Sequence, residues 1–538
     1  MSARRIALVV TVLVVVAACS VTDPVDTESV DAPSSSAADA SAPTTAVPSA
    51  PTTAAPPPGA PSTEVPAPTT GEVGEVRPAD TALDDVLFPE LGSPDIDVIS
   101  YDVDLDATDA LDSGRLRGEV TVTADVPADV AQFALDALDL DIDTVTDADS
   151  GASLDFAHDG TELVIELSPD RDERSAVTID YEVSPNARTR PAASLSSGWF
   201  PADDATFVLN EPDGARSWMP ANDHPSDKAT WSFAVTAPVD TIAAANGQLL
   251  AIDEVSNTWR WALDEPMATY LVQLVIGDYE IIDGGTYETI DGRSIPLTHV
   301  VPAGDAARYA DEFDHLPGQM AKLEEWFGPY PLAHYGLAIV TMIPNAAMET
   351  QGRSMYHVGN FESPGLGYVE ELLTSHELAH QWFGNAVGPA TWDEIWLNEG
   401  FATYAQWLWL DHIGELDLER TAEGALAQRQ SGTVATGAPG TDELFGFEVY
   451  DGGGVVVHAL RGFLGDEAFF ALLQRWVSDN VGTAQSTDAL IELTIEIVDE
   501  LGAAAVDPNA DPATVERDVR ALFDSWLYSA PPPASFPL

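Results

Sequence analysis

The sequence of 538 residues contains only one cysteine, Cys19. A single thiol cannot form a disulfide within the chain, and it cannot provide a metal site that is built from several cysteines. The stability of the folded protein must therefore come from core packing and from any metal that it binds. With 45% hydrophobic residues, the chain is long enough for two or three domains, each with its own core.

Basic side chains are also scarce. The sequence has 22 lysines and arginines against 89 aspartates and glutamates, which gives a formal net charge of −67, and Lys228 and Lys322 are the only lysines. Such a chain is repelled by phosphate backbones, so binding to nucleic acid is disfavoured. The acidic excess is compatible with a high-salt habitat and equally with a genome poor in lysine codons.

The N-terminal segment has the pattern of an export signal. Two arginines precede an apolar run over residues 6–16, and two alanines then lead to Cys19. Small residues directly before a cysteine resemble the bacterial lipobox, which predicts a lipoprotein signal peptide over residues 1–19 and a lipid anchor at Cys19. An ordinary secretory signal and an uncleaved anchor helix are the alternatives. All three place the protein outside the cytoplasm, with the lipid anchor holding it on the outer face of a bacterial cell membrane.

Three regions follow the signal. Residues 20–88 are rich in alanine, serine, threonine and proline, a composition that predicts a disordered tether. Residues 89–294 contain short runs of alternating apolar and polar residues between turn residues, which predict an antiparallel β domain. Residues 295–538 contain longer amphipathic segments, which predict a mainly helical domain that ends in short helices. The predicted fold class is therefore α+β with several domains.

The clearest functional motif is H-E-x-x-H in the second half. His376 and His380 lie four residues apart in a predicted helix, so both imidazoles project from one face and can bind a single metal ion. Glu377 is turned away from that ion and can take a proton from an attacking water. Glu399 lies nineteen positions after His380 on a following helix and is predicted as the third ligand, whereas Glu394 is predicted as a surface or outer residue.

This set of ligands indicates zinc. Two neutral imidazoles and one carboxylate leave the fourth position of a tetrahedral zinc open for water, which is typical of a catalytic site and not of a structural one. We therefore predict one Zn²⁺ per chain.

The residues around this motif resemble the aminopeptidase N family of gluzincins. The H-E-x-x-H motif, the gap of eighteen residues and the W-L-N-E-G-F-A run over residues 396–402 match the signature of that family. Weaker blocks match it from about residue 95 to about residue 480. The resemblance implies that the helical half is a thermolysin-like catalytic domain.

The resemblance also implies a peptide-binding segment. The family carries G-A-M-E-N on a strand edge that pairs with the substrate, and here the matching residues are Ala346, Ala347, Met348 and Glu349. By this match Glu349, helped by Glu211, would hold the free amine of a peptide. Thr350 takes the place of the family's asparagine.

Tyr450 matches the tyrosine with which the family stabilises the oxyanion, although Asp451 and Gly452 replace the usual glutamate and lysine. The resemblance thus implies a zinc aminopeptidase that acts on peptides with a free N-terminus. The alternatives are a metalloendopeptidase and a peptide-binding surface lipoprotein without catalytic activity. The full set of ligands and the base argues against the second alternative, and the two amine-binding glutamates argue against the first.

Overall fold

The computed structural model describes residues 77–537, apart from residues 84 and 170 and the ranges 186–187, 190–196, 202–204, 343–345, 362–367 and 502–513. The predicted signal peptide, Cys19 and most of the predicted tether lie outside the described residues. In this part of the chain, no helix is both long and apolar enough to cross a membrane.

The first half of the described chain is built from strands in which buried and exposed side chains alternate. In β1 (Asp97–Asp106), Val103 and Leu105 are buried, whereas Asp104 and Asp106 are exposed. A period of two places successive side chains on opposite faces of a sheet, so one face of the strand packs on the core while the other meets water. The predicted β-rich N-terminal domain is confirmed.

Among the described residues, these strands form sheets of seven, five and three strands, in the orders β13-β14-β11-β1-β2-β7-β4, β12-β15-β10-β9-β8 and β3-β6-β5. Neighbouring strands are antiparallel, except that β1 and β11 are parallel. A short helix, α1 (Ala110–Ser113), follows β1. The other strands are β2 (Leu116–Asp125), β3 (Gln132–Asp136), β4 (Asp141–Asp147), β5 (Phe156–His158), β6 (Glu162–Glu166), β7 (Arg174–Val183), β8 (Arg188–Thr189), β9 (Ser197–Pro201), β10 (Ala205–Leu209), β11 (Lys228–Thr236), β12 (Ile242–Ala245), β13 (Gln248–Asp253), β14 (Thr258–Ala268) and β15 (Leu274–Gly277).

A further five-stranded sheet begins before the predicted domain boundary at residue 294. Its order is β16-β17-β18-β20-β19, and its strands are β16 (Tyr279–Glu288), β17 (Ser294–Pro302), β18 (Leu337–Val340), β19 (Ala347–Met348) and β20 (Ser354–His357). Strand β17 pairs in parallel with β18, so the hairpin of β16 and β17 belongs to the sheet of the second half. The alternating pattern identifies both strands of the hairpin, but it does not reveal which sheet they join.

The second half is mainly helical, as predicted. Its helices are α2 (Ala306–Glu312), α3 (Leu316–Phe327), α4 (Tyr368–Ala379), α5 (Trp396–His412), α6 (Leu418–Arg429), α7 (Tyr450–Leu464), α8 (Asp466–Asn480), α9 (Thr487–Leu501) and α10 (Val515–Trp526). Two short strands, β21 (Val387–Pro389) and β22 (Thr483–Gln485), pair in parallel. Helix α5 is buried continuously from Trp396 to Leu410, which makes it the central helix of this half.

Helices α5 and α7 cross in direct backbone contact at two glycines. A Cβ atom on Gly400 would lie 2.8 Å from the Cα of Gly453, and one on Gly453 would lie 2.5 Å from the Cα of Gly400. Neither position can carry a side chain without moving a helix, because both distances are shorter than real Cβ contacts. The close crossing brings the first turn of α7, with Tyr450, beside the first turn of α5, with Glu399.

The two halves share a polar interface inside one compact unit. Arg353, which immediately precedes β20, is almost completely buried and donates hydrogen bonds to the carbonyl oxygens of Ala245 at 2.8 Å and Gly247 at 3.3 Å in the β domain. It also donates to the Oε1 of Gln273 at 2.9 Å. These hydrogen bonds stabilise the buried Arg353 cation, which would otherwise be costly to remove from water.

Part of the segment that the composition assigned to the tether is packed on the folded body. Arg77 pairs with Val130 in an isolated bridge, and Phe88 is buried in the core. The Asp85 carboxylate is fully buried; its Oδ2 accepts a hydrogen bond from the backbone N–H of Trp392 at 2.7 Å and lies 3.3 Å from the Nε2 of His224. The described residues from 77 to 88 therefore join the β domain to the mainly helical second half, because a few specific contacts outweigh their tether-like composition.

We predict that Asp85→Ala lowers the free energy of unfolding by about 3 kcal/mol at pH 7, because it leaves several buried donors without an acceptor. Although burial alone raises it, the pKa of Asp85 is lowered from 3.8 by hydrogen bonds from His224, Trp392, Phe88 and Leu87. The stabilisation by Asp85 is therefore fully present above the unfolded-state pKa of 3.8. It is lost as the pH falls through the lower pKa of the folded state. Chemical denaturation of wild type and variant from pH 7 to pH 3 measures the difference.

The exposed Asp143 in β4 supplies the control, since Asp143→Ala should change stability by less than about 0.5 kcal/mol. Equal effects of the two substitutions, or a difference that does not shrink in acid, would contradict the role of Asp85.

Candidate metal and peptide site

The two histidines and Glu399 meet where α4 and α5 face each other. The Nε2 of His376 lies 3.2 Å from the Oε2 of Glu399 and 3.1 Å from the Nε2 of His380, and the Nε2 of His380 lies 3.5 Å from that carboxylate oxygen. His380 directly follows α4, and its N–H still bonds to the carbonyl of His376 at 3.2 Å. The structure thus brings together the three residues predicted as metal ligands, and all three are buried.

The spacing of these atoms fits zinc. With bonds of about 2.0–2.1 Å, tetrahedral ligand atoms lie roughly 3.3 Å apart, which is the range found here. The Nδ1 of His380 lies 3.1 Å from the carbonyl oxygen of Phe383, so it donates its proton there and leaves the Nε2 lone pair for a metal. His376, His380 and Glu399 are therefore placed so that they could hold a Zn²⁺ ion.

Glu377 lies on the same helix turn as the predicted metal ligands, but its carboxylate belongs to a second cluster of side chains. A carboxylate oxygen of Glu377 lies within 4.8 Å of ligand atoms on Glu349 and His380. The pKa of Glu377 is raised well above 4.5, first by burial and then by Glu349 and Glu399, while His380 lowers it. A carboxyl with a raised pKa can accept and return a proton near neutral pH, which suits a general base.

Glu211 and Glu349 come from different halves of the chain and meet beside Glu399. Glu211 follows β10, Glu349 follows β19, and their carboxylate oxygens lie within 4.8 Å of each other and of Glu399. The Oε1 atoms of both are buried without a hydrogen-bond partner among the described residues. Burial and the neighbouring carboxylates raise the pKa of Glu211 well above 4.5. Two such carboxyls can favour a nearby cation.

The segment before Glu349 forms the outer strand of its sheet. Ala347 and Met348 make up β19, which pairs antiparallel with β20 and stands last in the strand order. The carbonyl oxygen of Ala346 accepts hydrogen bonds from the N–H of His357 at 3.0 Å and the Nδ2 of Asn360 at 2.9 Å. Strands in this position commonly bind an extended peptide through their main chain.

Tyr450 is the first residue of α7 and lies next to the metal ligands. Its ring is parallel to the imidazole of His376, with the ring centroids 5.9 Å apart. Burial raises the pKa of Tyr450 well above 10, and the carboxylates of Glu399, Glu211 and Glu349 raise it further. The phenol therefore keeps its proton and can donate it in a hydrogen bond.

Tyr270 and Asn398 also belong to the site, although no motif in the sequence pointed to them. The Tyr270 hydroxyl donates to the carbonyl oxygen of Gly384 at 3.3 Å and accepts a hydrogen bond from the Nδ2 of Asn398 at 3.1 Å. Gly384 lies four residues after His380, and Asn398 immediately precedes Glu399. Tyr270 thus ties the β domain to both ligand-bearing segments, a role that the short blocks around these residues do not reveal.

We predict that His376→Ala and Glu399→Ala reduce bound zinc from about one ion per chain to nearly none after dialysis, because each removes one of three protein ligands. Glu377→Gln should keep its zinc. Metal analysis of the purified variants measures this. Glu394→Gln is the matched control, since the Glu394 carboxylate accepts a hydrogen bond from the N–H of Thr487 at 2.8 Å. A Glu399→Ala protein that still holds one zinc would contradict this ligand set.

Comparison with known families identifies both halves of the chain. Residues 98–271 match the family model of the Peptidase M1 N-terminal domain, and residues 312–526 match that of the Peptidase family M1 domain. Together the two matches cover more than half of the sequence, and they lie on the β domain and on the catalytic half respectively.

Two curated relatives are aminopeptidases. Aminopeptidase N of Streptomyces lividans is 27% identical over 462 residues, which cover 80% of this chain and 50% of that protein. Aminopeptidase M1 of Arabidopsis thaliana is 28% identical over 306 residues, which cover 52% of this chain and 34% of that protein. The chain thus spans about half or less of the length of these relatives.

A solved structure matches over nearly its full length. The crystal structure of a variant M1 zinc metallopeptidase from Deinococcus radiodurans bound to a Tyr-Ser-Ala substrate has a TM-score of 0.72 and 27% identity, and the match covers 85% of this chain and 99% of that one. The predicted resemblance to the aminopeptidase N family is confirmed. With both domain matches and the zinc-ligand geometry in agreement, this chain belongs to the M1 family of zinc metallopeptidases.

Proposed function

We propose that the protein is a zinc-dependent aminopeptidase that hydrolyses the first peptide bond of peptides with a free N-terminus. The observation that carries the proposal is the pair of partnerless carboxyl oxygens on Glu211 and Glu349, beside the ligand set and Glu377. A protonated N-terminal amine is the part of a peptide that two such carboxylates favour.

The metal chemistry follows from the ligand set. His376, His380 and Glu399 would hold the zinc, and zinc bound there supplies a Lewis acid that polarises a carbonyl and lowers the pKa of water. The remaining steps belong to side chains of the protein.

Glu377 moves the proton. It accepts a proton from the water whose oxygen attacks the first carbonyl carbon, and it gives that proton to the departing nitrogen as the carbon–nitrogen bond breaks. Tyr450 donates a hydrogen bond to the carbonyl oxygen while negative charge develops on it. A neutral donor aimed at such charge contributes about 3–4 kcal/mol in comparable oxyanion sites.

Amine recognition decides which bond is cut. Glu211 and Glu349 repel each other at close range when both are ionised, and a bound cation offsets that repulsion. A terminal ammonium brings the charge, whereas an internal peptide nitrogen does not, so the glutamates disfavour internal segments. Cleavage then falls one residue from the terminus. The Tyr-Ser-Ala substrate bound to the M1 zinc metallopeptidase of D. radiodurans supports short peptides as the substrate class.

We predict that the wild type cleaves fluorogenic aminoacyl amides with a free amine at least about 10²-fold faster than their N-acetylated forms. Glu377→Gln should lower kcat by about 10²–10⁴-fold, because the base is lost. Glu349→Gln should mainly raise KM, because the ammonium loses one of its two carboxylates. Steady-state kinetics over a panel of amides measures these effects and identifies the preferred first residue.

Glu415→Gln, at an exposed position after α5, is the control and should behave as wild type. Equal cleavage of free and acetylated substrates would indicate a metalloendopeptidase. No cleavage by a protein with one zinc per chain would indicate a peptide-binding lipoprotein without catalytic activity.

We further propose that the protein is exported and lipid-anchored at Cys19 on the outer face of the bacterial cell membrane. The proposal is supported by the sequence pattern alone: two arginines, an apolar run over residues 6–16 and two alanines before the only cysteine. A single acyl chain gives weak membrane binding, so stable anchoring requires more than one chain on Cys19.

In a host that processes bacterial lipoproteins, we expect the wild type to incorporate a labelled fatty acid and to sediment with membranes. Cys19→Ala should lose the label, because the acceptor thiol is gone. Fractionation and gel fluorography of the full chain measure both properties. An unlabelled wild type released into the medium would indicate an ordinary secretory signal, and a labelled Cys19→Ala protein would contradict the assigned acylation site.

A further inference from the structure

The main chain at Glu349 leaves its sheet at the point where the peptide amine is expected. The pairing of β19 with β20 joins Ala347 to Tyr356 and Met348 to Met355 and ends there. The carbonyl oxygen of Glu349 instead accepts hydrogen bonds from two side-chain amides in the segment that follows α4. Because Glu349 lies outside the β ladder, the position of its main chain depends on these two hydrogen bonds.

One of the two amides belongs to Gln381, which directly follows the ligand His380 and is completely buried. Its Nε2 donates to the carbonyl oxygens of Glu349 and Glu377, both at 3.2 Å. Its Oε1 accepts from the N–H of Gly352 at 2.9 Å. Gln381 thus fastens the turn after β19 to the helix that carries the ligands and the base.

The other amide belongs to Asn385, which is also completely buried. Its Nδ2 donates to the carbonyl oxygen of Glu349 at 2.7 Å, the shorter of the two bonds, and to the Oε1 of Gln381 at 3.1 Å. Asn385 therefore supports the Glu349 backbone both directly and through Gln381.

The β domain holds Asn385 in turn. The Nζ of Lys228, the first residue of β11, donates to the carbonyl oxygen of Asn385 at 2.8 Å and more weakly to that of Ala386 at 3.4 Å. The adjacent carbonyl of Gly384 accepts from the hydroxyl of Tyr270. Three consecutive carbonyls after the metal-binding helix are thus bound by side chains of the β domain.

Lys228 is unusual both in its residue type and in its partners. It is one of only two lysines in the sequence, and within the described residues it forms no ion pair with a carboxylate. Burial lowers its pKa to about 7, and its amine donates hydrogen bonds in either protonation state. A half-buried amine that bonds to carbonyls fixes their position without adding negative charge near the glutamates.

We propose that Asn385 and Lys228 are positioning residues that hold Glu349 opposite Glu211 and so set the recognition of the substrate amine. The inference rests on the proposed aminopeptidase function. Glu211 belongs to the β domain and Glu349 to the catalytic half, and the hydrogen bonds from Lys228 to Asn385 to Glu349 connect the two. A displacement of about 1 Å in such a site can cost about 10²-fold in rate.

The experiment compares Asn385→Ala and Lys228→Met with wild type in the zinc-loaded full chain. We expect each substitution to raise KM for the preferred free aminoacyl amide about tenfold or more, with a much smaller change in kcat, since Glu377 and the ligands stay in place. In a Glu377→Gln background, calorimetry then measures the affinity for that amide and for the same amide without its α-amino group. The substitutions should weaken only the first.

The chain offers two matched controls. Lys322→Met removes the other lysine, whose Nζ bonds to Glu325 on the surface, and Gln474→Ala removes an amide that donates to the carbonyl of Glu325. Both should keep wild-type kinetics. Zinc content and thermal unfolding of every variant show whether it is folded and loaded, and Lys228→Met provides a second test if Asn385→Ala fails to fold.

The outcomes separate this inference from the proposed function. If the wild type shows no preference for the free amine, the proposed function fails. If the wild type prefers the amine and both substitutions leave that preference intact, the positioning role is wrong. Equal loss of affinity for both amides, or loss of zinc, would assign Asn385 and Lys228 to general support of the fold and would also overturn the inference.

Discussion

The site is governed by the electrostatics of four glutamates that share a small, poorly solvated space: Glu211, Glu349, Glu377 and Glu399. Charges of like sign at such distances repel strongly where water is scarce. Within the described residues, no lysine or arginine forms an ion pair with any of them. A zinc ion and a protonated amine would together bring three positive charges. The four glutamates thus favour cations, and zinc and the amine of the proposed peptide substrate are suited to offset their charge.

Both halves of the chain contribute side chains to the site. Glu211 comes from the β domain, while the ligands and the base come from α4 and α5. The contacts of Lys228 and Tyr270 with the turn after His380 set the distance between the two groups. On the far side, the contact of Gly400 with Gly453 brings Tyr450 against the ligands. The arrangement explains why the domain interface is polar: its hydrogen bonds position the site as well as joining two cores.

The sequence predicts best what depends on local spacing. Two histidines four residues apart in an amphipathic segment must share a helix face, and the alternation in β1 must give a strand with one buried side. The spacing after the H-E-x-x-H motif adds Glu399, and the family resemblance adds Glu349, Glu211 and Tyr450, whose proximity no local pattern could show. Their roles in catalysis and binding rest on that resemblance and on the geometry found here.

Other features depend on tertiary contacts and leave no local signal. Lys228 and Asn385 are 157 residues apart in sequence, and neither has a pattern that points to the other. The alternating pattern predicts that the hairpin of β16 and β17 belongs to the β domain. Its pairing with β18 instead places it in the sheet of the second half. Residues 77–88 have the composition of a tether, yet the single carboxylate of Asp85 ties them to the catalytic half.

The most direct test of the aminopeptidase assignment is a crystal structure of the zinc-loaded Glu377→Gln protein with a tripeptide that has a free N-terminus. We predict that the α-amino nitrogen lies within hydrogen-bonding distance of both Glu211 and Glu349, that β19 pairs with the peptide main chain, and that the first carbonyl oxygen faces Tyr450. A peptide that runs past the two glutamates, with residues on both sides of them, would contradict the account.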